Sequence, residues 1–260
     1  MPSLPRILRR RTPEERTGSM TVIEHLEELR HRLVVSIIAI ALGSVAGWFL
    51  YPHVLHLMQR PFCSYVAGLP SHLRPPTGCR LTTTGLLDPM LVKLKVVVFL
   101  GLALVLPVLL YQLWAFIVPG LTQRERRYAV PFIVASTLLF ILGGLFAYVT
   151  LPKGLNFLLG FAGTDVTPLL QFSSYVSFVV LVTLAFGLSF EFPVILVFLL
   201  IAHVLTTRQL RDWRRYAAVI IVAFAAIITP SQDPYSLFAM AIPMYIFYEG
   251  SIIIGRILKR

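Results

Sequence analysis

Six long apolar runs, at residues 33–50, 90–118, 128–151, 175–202, 216–229 and 236–255, dominate this 260-residue chain and leave it one solvent to fold in. A run of about 20 apolar residues matches the hydrocarbon core of a bilayer when helical. Inside lipid, a helix satisfies every backbone N–H and C=O within its own segment. Charged residues make up 13% of the chain, against roughly 25% in a soluble domain. Hydrophobic residues make up 57% and the mean hydropathy is +0.80. The expected fold is an all-α integral membrane protein of six transmembrane helices. The fifth run, 216–229, reaches only about 21 Å at ~1.5 Å per residue, short of a core of about 30 Å. Helices five and six are therefore read as short.

The net charge of +11 does not argue for nucleic acid, because its distribution matters more than its sum. Seventeen of the 23 Lys and Arg residues fall on one side of the six-run topology and six on the other. The positive-inside rule then puts both termini in the cytoplasm. Residues 1–20 read as a cytoplasmic, disordered tail, 21–256 as the transmembrane domain and 257–260 as a second short tail. Arg9, Arg10 and Arg11 look like part of an export signal, but the polar stretch TPEERTGSM separates them from any apolar run. No cleavable signal peptide is expected, and no internal repeat is evident.

Within this frame the stretch Leu106 to Pro131 passes from hydrocarbon to charge and back. Tyr111, Trp114 and Phe116 follow the pattern of residues at the headgroup level. Pro119 and Gly120 stop the helix, and a short loop then carries Arg124, Glu125, Arg126 and Arg127. Glu125 either compensates local charge or belongs to a docking surface for a cationic partner. Before the first span, Thr21 and Glu24 fit a capping box, Leu26, Leu29 and Leu33 share one helix face, and Glu24, Glu28 and Arg32 share another. Residues 51–88 read as a long polar loop with five prolines and both cysteines, Cys63 and Cys79. Facing an oxidising compartment, these form either a disulfide or two free thiols. Lys93 and Lys95 are placed to snorkel to the interface.

Glu191 lies mid-span in the fourth run, where a carboxylate is costly and normally faces protein or water. Pro193 beside it should kink that helix. Glu249 is shallower and suits an interfacial arginine. Asp233 lies in the last outer turn and can cap the sixth helix. Glu28-x-x-His31 occurs once, whereas di-iron bundles use that motif twice with two further carboxylates. No metal or cofactor is expected, and no nucleophile-elbow, P-loop or zinc-protease pattern supports catalysis. On these residues alone, a proton-coupled small-solute transporter using Glu191 remains an alternative.

Six motifs in register add a resemblance: His25-Leu26-Glu27-Glu28-Leu29-Arg30, Tyr111-Gln112-Leu113-Trp114-Ala115-Phe116, Glu125-Arg126-Arg127, Phe190-Glu191-Phe192-Pro193, Thr229-Pro230 with Asp233, and Ala241-Ile242-Pro243-Met244-Tyr245. Together they resemble the TatC family, the polytopic core of the twin-arginine protein translocase, over residues 22–256. The resemblance implies a kinked bundle with a concave face and a receptor without enzymatic activity. It also implies that the cytoplasmic face reads the paired arginines in signal peptides of folded precursors. Glu28 and Glu125 match the family's signal-binding acids, with Arg30, Arg126 and Arg127 keeping them oriented. Glu191 matches a buried polar residue on the concave face, and Asp233 an acid of the last outer loop. The implied partners are single-span TatA and, where present, TatB subunits, membrane lipid, and further copies in an oligomeric complex. Export driven by the proton-motive force across the cell membrane follows from the same resemblance.

Overall fold

The computed structural model describes residues 22–71, 74–75, 78–117, 128–161, 170–230 and 233–257. In chain order the helices are α1 (Val22–Gly68), α2 (Asp88–Leu104), α3 (Leu106–Ile117), α4 (Ala129–Gly160), α5 (Phe172–Ser189), α6 (Phe192–Ile201), α7 (Thr207–Asp212), α8 (Arg214–Ile228) and α9 (Pro234–Ile257). Four helical stretches are long and apolar enough to cross a membrane: α1, α4, α5 with α6, and α9. The pair α2 and α3 passes the same test jointly, with a bend of 58° between them. Helix α8 has 15 residues, about 22 Å at ~1.5 Å per residue, and is too short by itself, as expected of the fifth run. Helix α9, expected to be short as well, has 24 residues and is long enough, because it runs from its cap at Asp233 on past the apolar run to Ile257. The chain is a multi-pass helical membrane protein.

The bends have causes in the sequence. Pro107 has no N–H to offer the carbonyl of Ala103, and the helix breaks at Val105. Pro193 likewise leaves the carbonyl of Ser189 without its donor, and α5 gives way to α6 at Phe190 and Glu191. His203, in the left-handed region at φ 56°, follows the end of α6.

The expected polar loop at 51–88 needs correction. Helix α1 runs on to Gly68 through Pro52 and Pro61. Met58, Phe62, Tyr65 and Val66 recur at helical spacing and are buried in the main core, which draws this stretch into regular structure. Pro61 removes the N–H that Leu57 would bond, and the Tyr148 hydroxyl donates to that carbonyl instead, at 3.3 Å. Tyr175 donates to the carbonyl of Met58 at 2.7 Å.

Helices α1 and α2 cross closely because both carry glycine at the contact. A Cβ at Gly101 would run into Ser44 Oγ and lie 2.8 Å from Ser44 Cα, and one at Gly43 would lie 2.7 Å from the carbonyl oxygen of Gly101. Gly43 and Gly47 form a G-x-x-x-G pair, the small-residue spacing that lets membrane helices approach. The main core joins α1, α2 and α4 to α9, with Phe186, Leu200, Met240 and Met244 fully buried. A second cluster joins α3, α4 and α6 at the end of the bundle where α1 begins.

Candidate functional site

The two ends of the bundle differ in chemistry. One end carries the start of α1, the end of α3, and the segment from Thr207 to Arg215, with its four arginines. The other carries Cys63 and Cys79, which are joined in a disulfide with their Cα atoms 4.8 Å apart.

At the arginine-rich end, the first turns of α1 lie against the last turns of α3. The His25 ring stacks on Phe116 at 4.3 Å between centroids. Arg32 donates from Nε to Glu28 Oε1 at 3.0 Å, adds a second bond from Nη2, and donates from Nη1 to Gln112 Oε1 at 3.2 Å. Glu28 and Arg32 are one helical turn apart, a spacing that brings their side chains together. Both are half-buried, at 20% and 22% exposure. The other carboxylate oxygen, Glu28 Oε2, is buried and accepts no hydrogen bond among the described residues. A buried acceptor without a donor carries its full desolvation cost until a donor arrives. The site can therefore take one further N–H, and a planar guanidinium matches a carboxylate best.

The guanidinium that holds Glu28 is that of Arg32; Arg30 is exposed. Glu125, Arg126 and Arg127 lie outside the described residues, as does Thr21. Trp114 corrects another expectation. It is buried, stacked on Phe132 at 4.8 Å and edge-on to Phe198 at 5.0 Å, so it anchors α3 to α4 and α6 instead of sitting among headgroups. Tyr111, by contrast, is exposed. Lys93 lies over the Trp48 ring at 3.5 Å, and Lys95 donates to Ser177 Oγ at 3.0 Å.

Glu191 sits at the α5–α6 break, with the hydroxyl of the buried Ser136 reaching its carboxyl. Its Oε1 is buried without a partner among the described residues. Asp233 Oδ1 accepts the backbone N–H of Ser236 at 2.7 Å and caps α9, while its Oδ2 is buried and unpartnered among the described residues. Glu249 pairs with Arg214 across α9 and α8. Glu28, Glu191 and Asp233 are thus three separate acids, at one end, at the break and at the other end.

The model of the TatC family, described as Sec-independent protein translocase protein, matches residues 24–243. The Sec-independent protein translocase protein TatC of Frankia casuarinae is 39% identical over 252 residues, covering 95% of this chain and 68% of that one. That of Aquifex aeolicus is 38% identical over 244 residues, covering 93% and 97%. A crystal structure of the twin arginine translocase receptor TatC superposes with a TM-score of 0.72 at 38% identity, covering 91% of this chain and all of that one. The chain belongs to the TatC family. It is a component of a Sec-independent protein translocase in the cell membrane, and not an enzyme. TatC membership removes the ground for reading Glu191 as the proton site of a small-solute transporter.

Sequence reasoning placed Glu28 and Arg32 on one face of α1 but missed the bond from Arg32 to Gln112. The i, i+4 spacing of Glu28 and Arg32 carried the first signal. The contact with Gln112, 80 positions away, carried none.

Proposed function

We propose that this chain is the receptor and assembly core of a twin-arginine translocase. In this reading it spans the membrane six times with both termini cytoplasmic, and its arginine-rich end is the cytoplasmic face. Residues 21–256 act as one translocase domain between cytoplasmic tails at 1–20 and 257–260. Glu28 and Glu125 bind the two arginines of a signal peptide, and Arg30, Arg126 and Arg127 tune the charge around them. The peptide's apolar segment then follows the concave side of the bundle past Glu191. Single-span TatA and, where present, TatB subunits dock on the short helix α8 and its neighbour α9, and Asp233 holds the turn between those two helices. Export is driven by the proton-motive force.

The observation that carries the reading is the half-used carboxylate of Glu28. One oxygen is held by Arg32, which fixes the plane of the carboxylate, and the other is buried with no donor among the described residues. An incoming guanidinium would complete it with a charge-assisted bond. Two acids on one membrane face suit two adjacent arginines, which explains why lysine would be a poor substitute.

The test is binding of a twin-arginine signal peptide and its twin-lysine variant to the purified chain in nanodiscs. Tight binding of the first, weak binding of the second and loss of the difference in Glu28→Gln are expected. Equal affinity for both peptides in the wild-type chain would overturn the reading.

A further inference from the structure

Beside the arginine-rich end, away from Glu28, the short helix α8 leaves a cavity of about 250 Å³ against α6, α7 and α9. Its wall is apolar: Leu196 from α6, Leu210 from α7, Ala217 and Phe224 from α8, and Met244 from α9. The lining runs along α8 from Trp213 to Phe224, about 16 Å at ~1.5 Å per residue. That is the depth of one leaflet, half of a hydrocarbon core of about 30 Å.

The mouth has the opposite character. Trp213 and Tyr216 line it and are both exposed, as amphipathic rings are at the headgroup level. The Arg215 guanidinium lies 4.9 Å from the centre of the Tyr216 ring and donates to its hydroxyl at 3.2 Å. No carboxylate among the described residues pairs with Arg215, whereas its neighbour Arg214 is taken by Glu249. Tyr248, the other tyrosine on the wall, already donates to the carbonyl of Leu210 at 2.6 Å. On the far side of α7, Arg208, Arg211 and Arg256 line a second cleft with Asp212 as its one acid. One guanidinium without a carboxylate partner among the described residues, that of Arg215, therefore stands at the mouth of a leaflet-deep apolar slot, with a second arginine-lined cleft nearby.

We propose that this cavity is a binding site for an anionic phospholipid, with one acyl chain in the slot and the phosphate on Arg215. The charge selects the occupant. The apolar helix of a partner would fill the slot but leave the guanidinium without an anion, and a zwitterionic lipid would offer its phosphate only together with a quaternary ammonium, which the neighbouring Arg208, Arg211 and Arg256 repel. Basic pockets between transmembrane helices on the cytoplasmic side recognise anionic headgroups in this way. The proposal does not depend on signal-peptide binding at Glu28, which uses a different pair of helices.

Trp213 reports on the site directly. The full chain carrying Trp48→Phe is reconstituted in phosphatidylcholine nanodiscs, where the remaining exposed tryptophan is Trp213 and Trp114 is buried. Brominated phosphatidylglycerol or brominated phosphatidylcholine is then titrated in, and tryptophan quenching is read. Brominated phosphatidylglycerol should quench at about a fivefold lower mole fraction, the ratio expected for one guanidinium at the membrane surface. Arg215→Gln should remove that difference, and Ala217→Phe should remove it by filling the slot. Equal quenching by the two lipids, or a preference that survives Arg215→Gln, would overturn the proposal. If Ala217→Phe fails to fold, Arg215→Gln decides alone.

Discussion

The two ends of this bundle are tied by different kinds of bond. At one end a covalent bond and bonds to the backbone lead: the Cys63–Cys79 disulfide, the pairing of Thr82 with Leu170 and Phe172, Tyr175 on the carbonyl of Met58, and Arg74 on the carbonyls of Ala67 and Leu69, with Gln171 bonding the side chains of Thr84 and Asp88 beside them. The other end, where Tyr248 also holds the carbonyl of Leu210, has both ion pairs found among the described residues, Arg32 on Glu28 and Arg214 on Glu249, together with His25 on Phe116 and Arg32 on Gln112. Backbone and covalent ties have no competitor in a ligand. Side-chain ion pairs exchange readily with an incoming charge. The bundle thus holds its shape from one end and keeps the other free to change partners, a division suited to a receptor.

Removing the disulfide should have the largest effect on stability and none on recognition. Closing a loop with a sequence separation of 16 contributes about 3 kcal/mol. Cys63→Ser with Cys79→Ser should lower the unfolding free energy in detergent by about that amount, read as a fall in the thermal midpoint, as should reductant on the wild type. Signal-peptide affinity measured below the transition should not change. A parallel loss of affinity would mean that the two ends are not independent.

Glu28→Gln makes the complementary break. It keeps the shape of the side chain and removes its charge, so the peptide should bind about 10–100-fold more weakly, the equivalent of a charge-assisted hydrogen bond of roughly 1.5–3 kcal/mol. The thermal midpoint should hardly move, because the Glu28–Arg32 pair lies within one helix and ties no two elements together. Isothermal calorimetry and a thermal scan on one preparation separate the two readouts. A fall in the midpoint with unchanged affinity would reverse the roles assigned to the ends.

How much of this was legible in the sequence follows the range of the interactions. Hydropathy located every spanning stretch, because burial in lipid is read residue by residue. Pro193 marked the break between α5 and α6, since a missing N–H acts locally; Pro107 carried the same local signal, yet the second run was read as one uninterrupted span. The extension of α1 was hidden because Pro52 and Pro61 suggest a loop, and only the burial of Met58, Phe62 and Val66 against other helices outweighs them. Trp114 misled for the same reason: an aromatic residue near the end of a run looks the same at a headgroup and in a core. Glu28 was identified by resemblance and its pairing with Arg32 follows from the i, i+4 spacing, but the bond that ties Arg32 to Gln112 is a tertiary contact that no local pattern announces.

The crossing of α1 and α2 tests whether the ends are coupled through the middle. Valine at Gly101 would press against Ser44, where even a Cβ falls 2.8 Å from the Cα. Overpacking of this kind costs about 1–3 kcal/mol. Since α1 carries Glu28 at one end and Cys63 at the other, displacing it from α2 should lower the thermal midpoint and peptide affinity together. A Gly101→Val variant that loses stability alone would show that the contact of α1 with α3 suffices to hold the site.

The smallest effect is expected at Glu249, and its sign is informative. The Arg214–Glu249 side chains are 45% and 29% exposed, so solvent screens the pair and it contributes under about 1 kcal/mol. Glu249→Gln should lower the midpoint slightly at low salt, and the difference should shrink at high salt as the Debye length falls to about 3 Å at 1 M. Peptide affinity should not respond, because the pair joins α8 to α9 and not α1 to α3. Anionic-lipid preference should rise, because the substitution releases Arg214 beside Arg215. The two guanidinium groups would then share one phosphate that Arg215 holds alone in the wild type. A variant whose lipid preference is unchanged would show that Arg214 points away from the slot, and that side-chain exchange at this end is confined to Glu28.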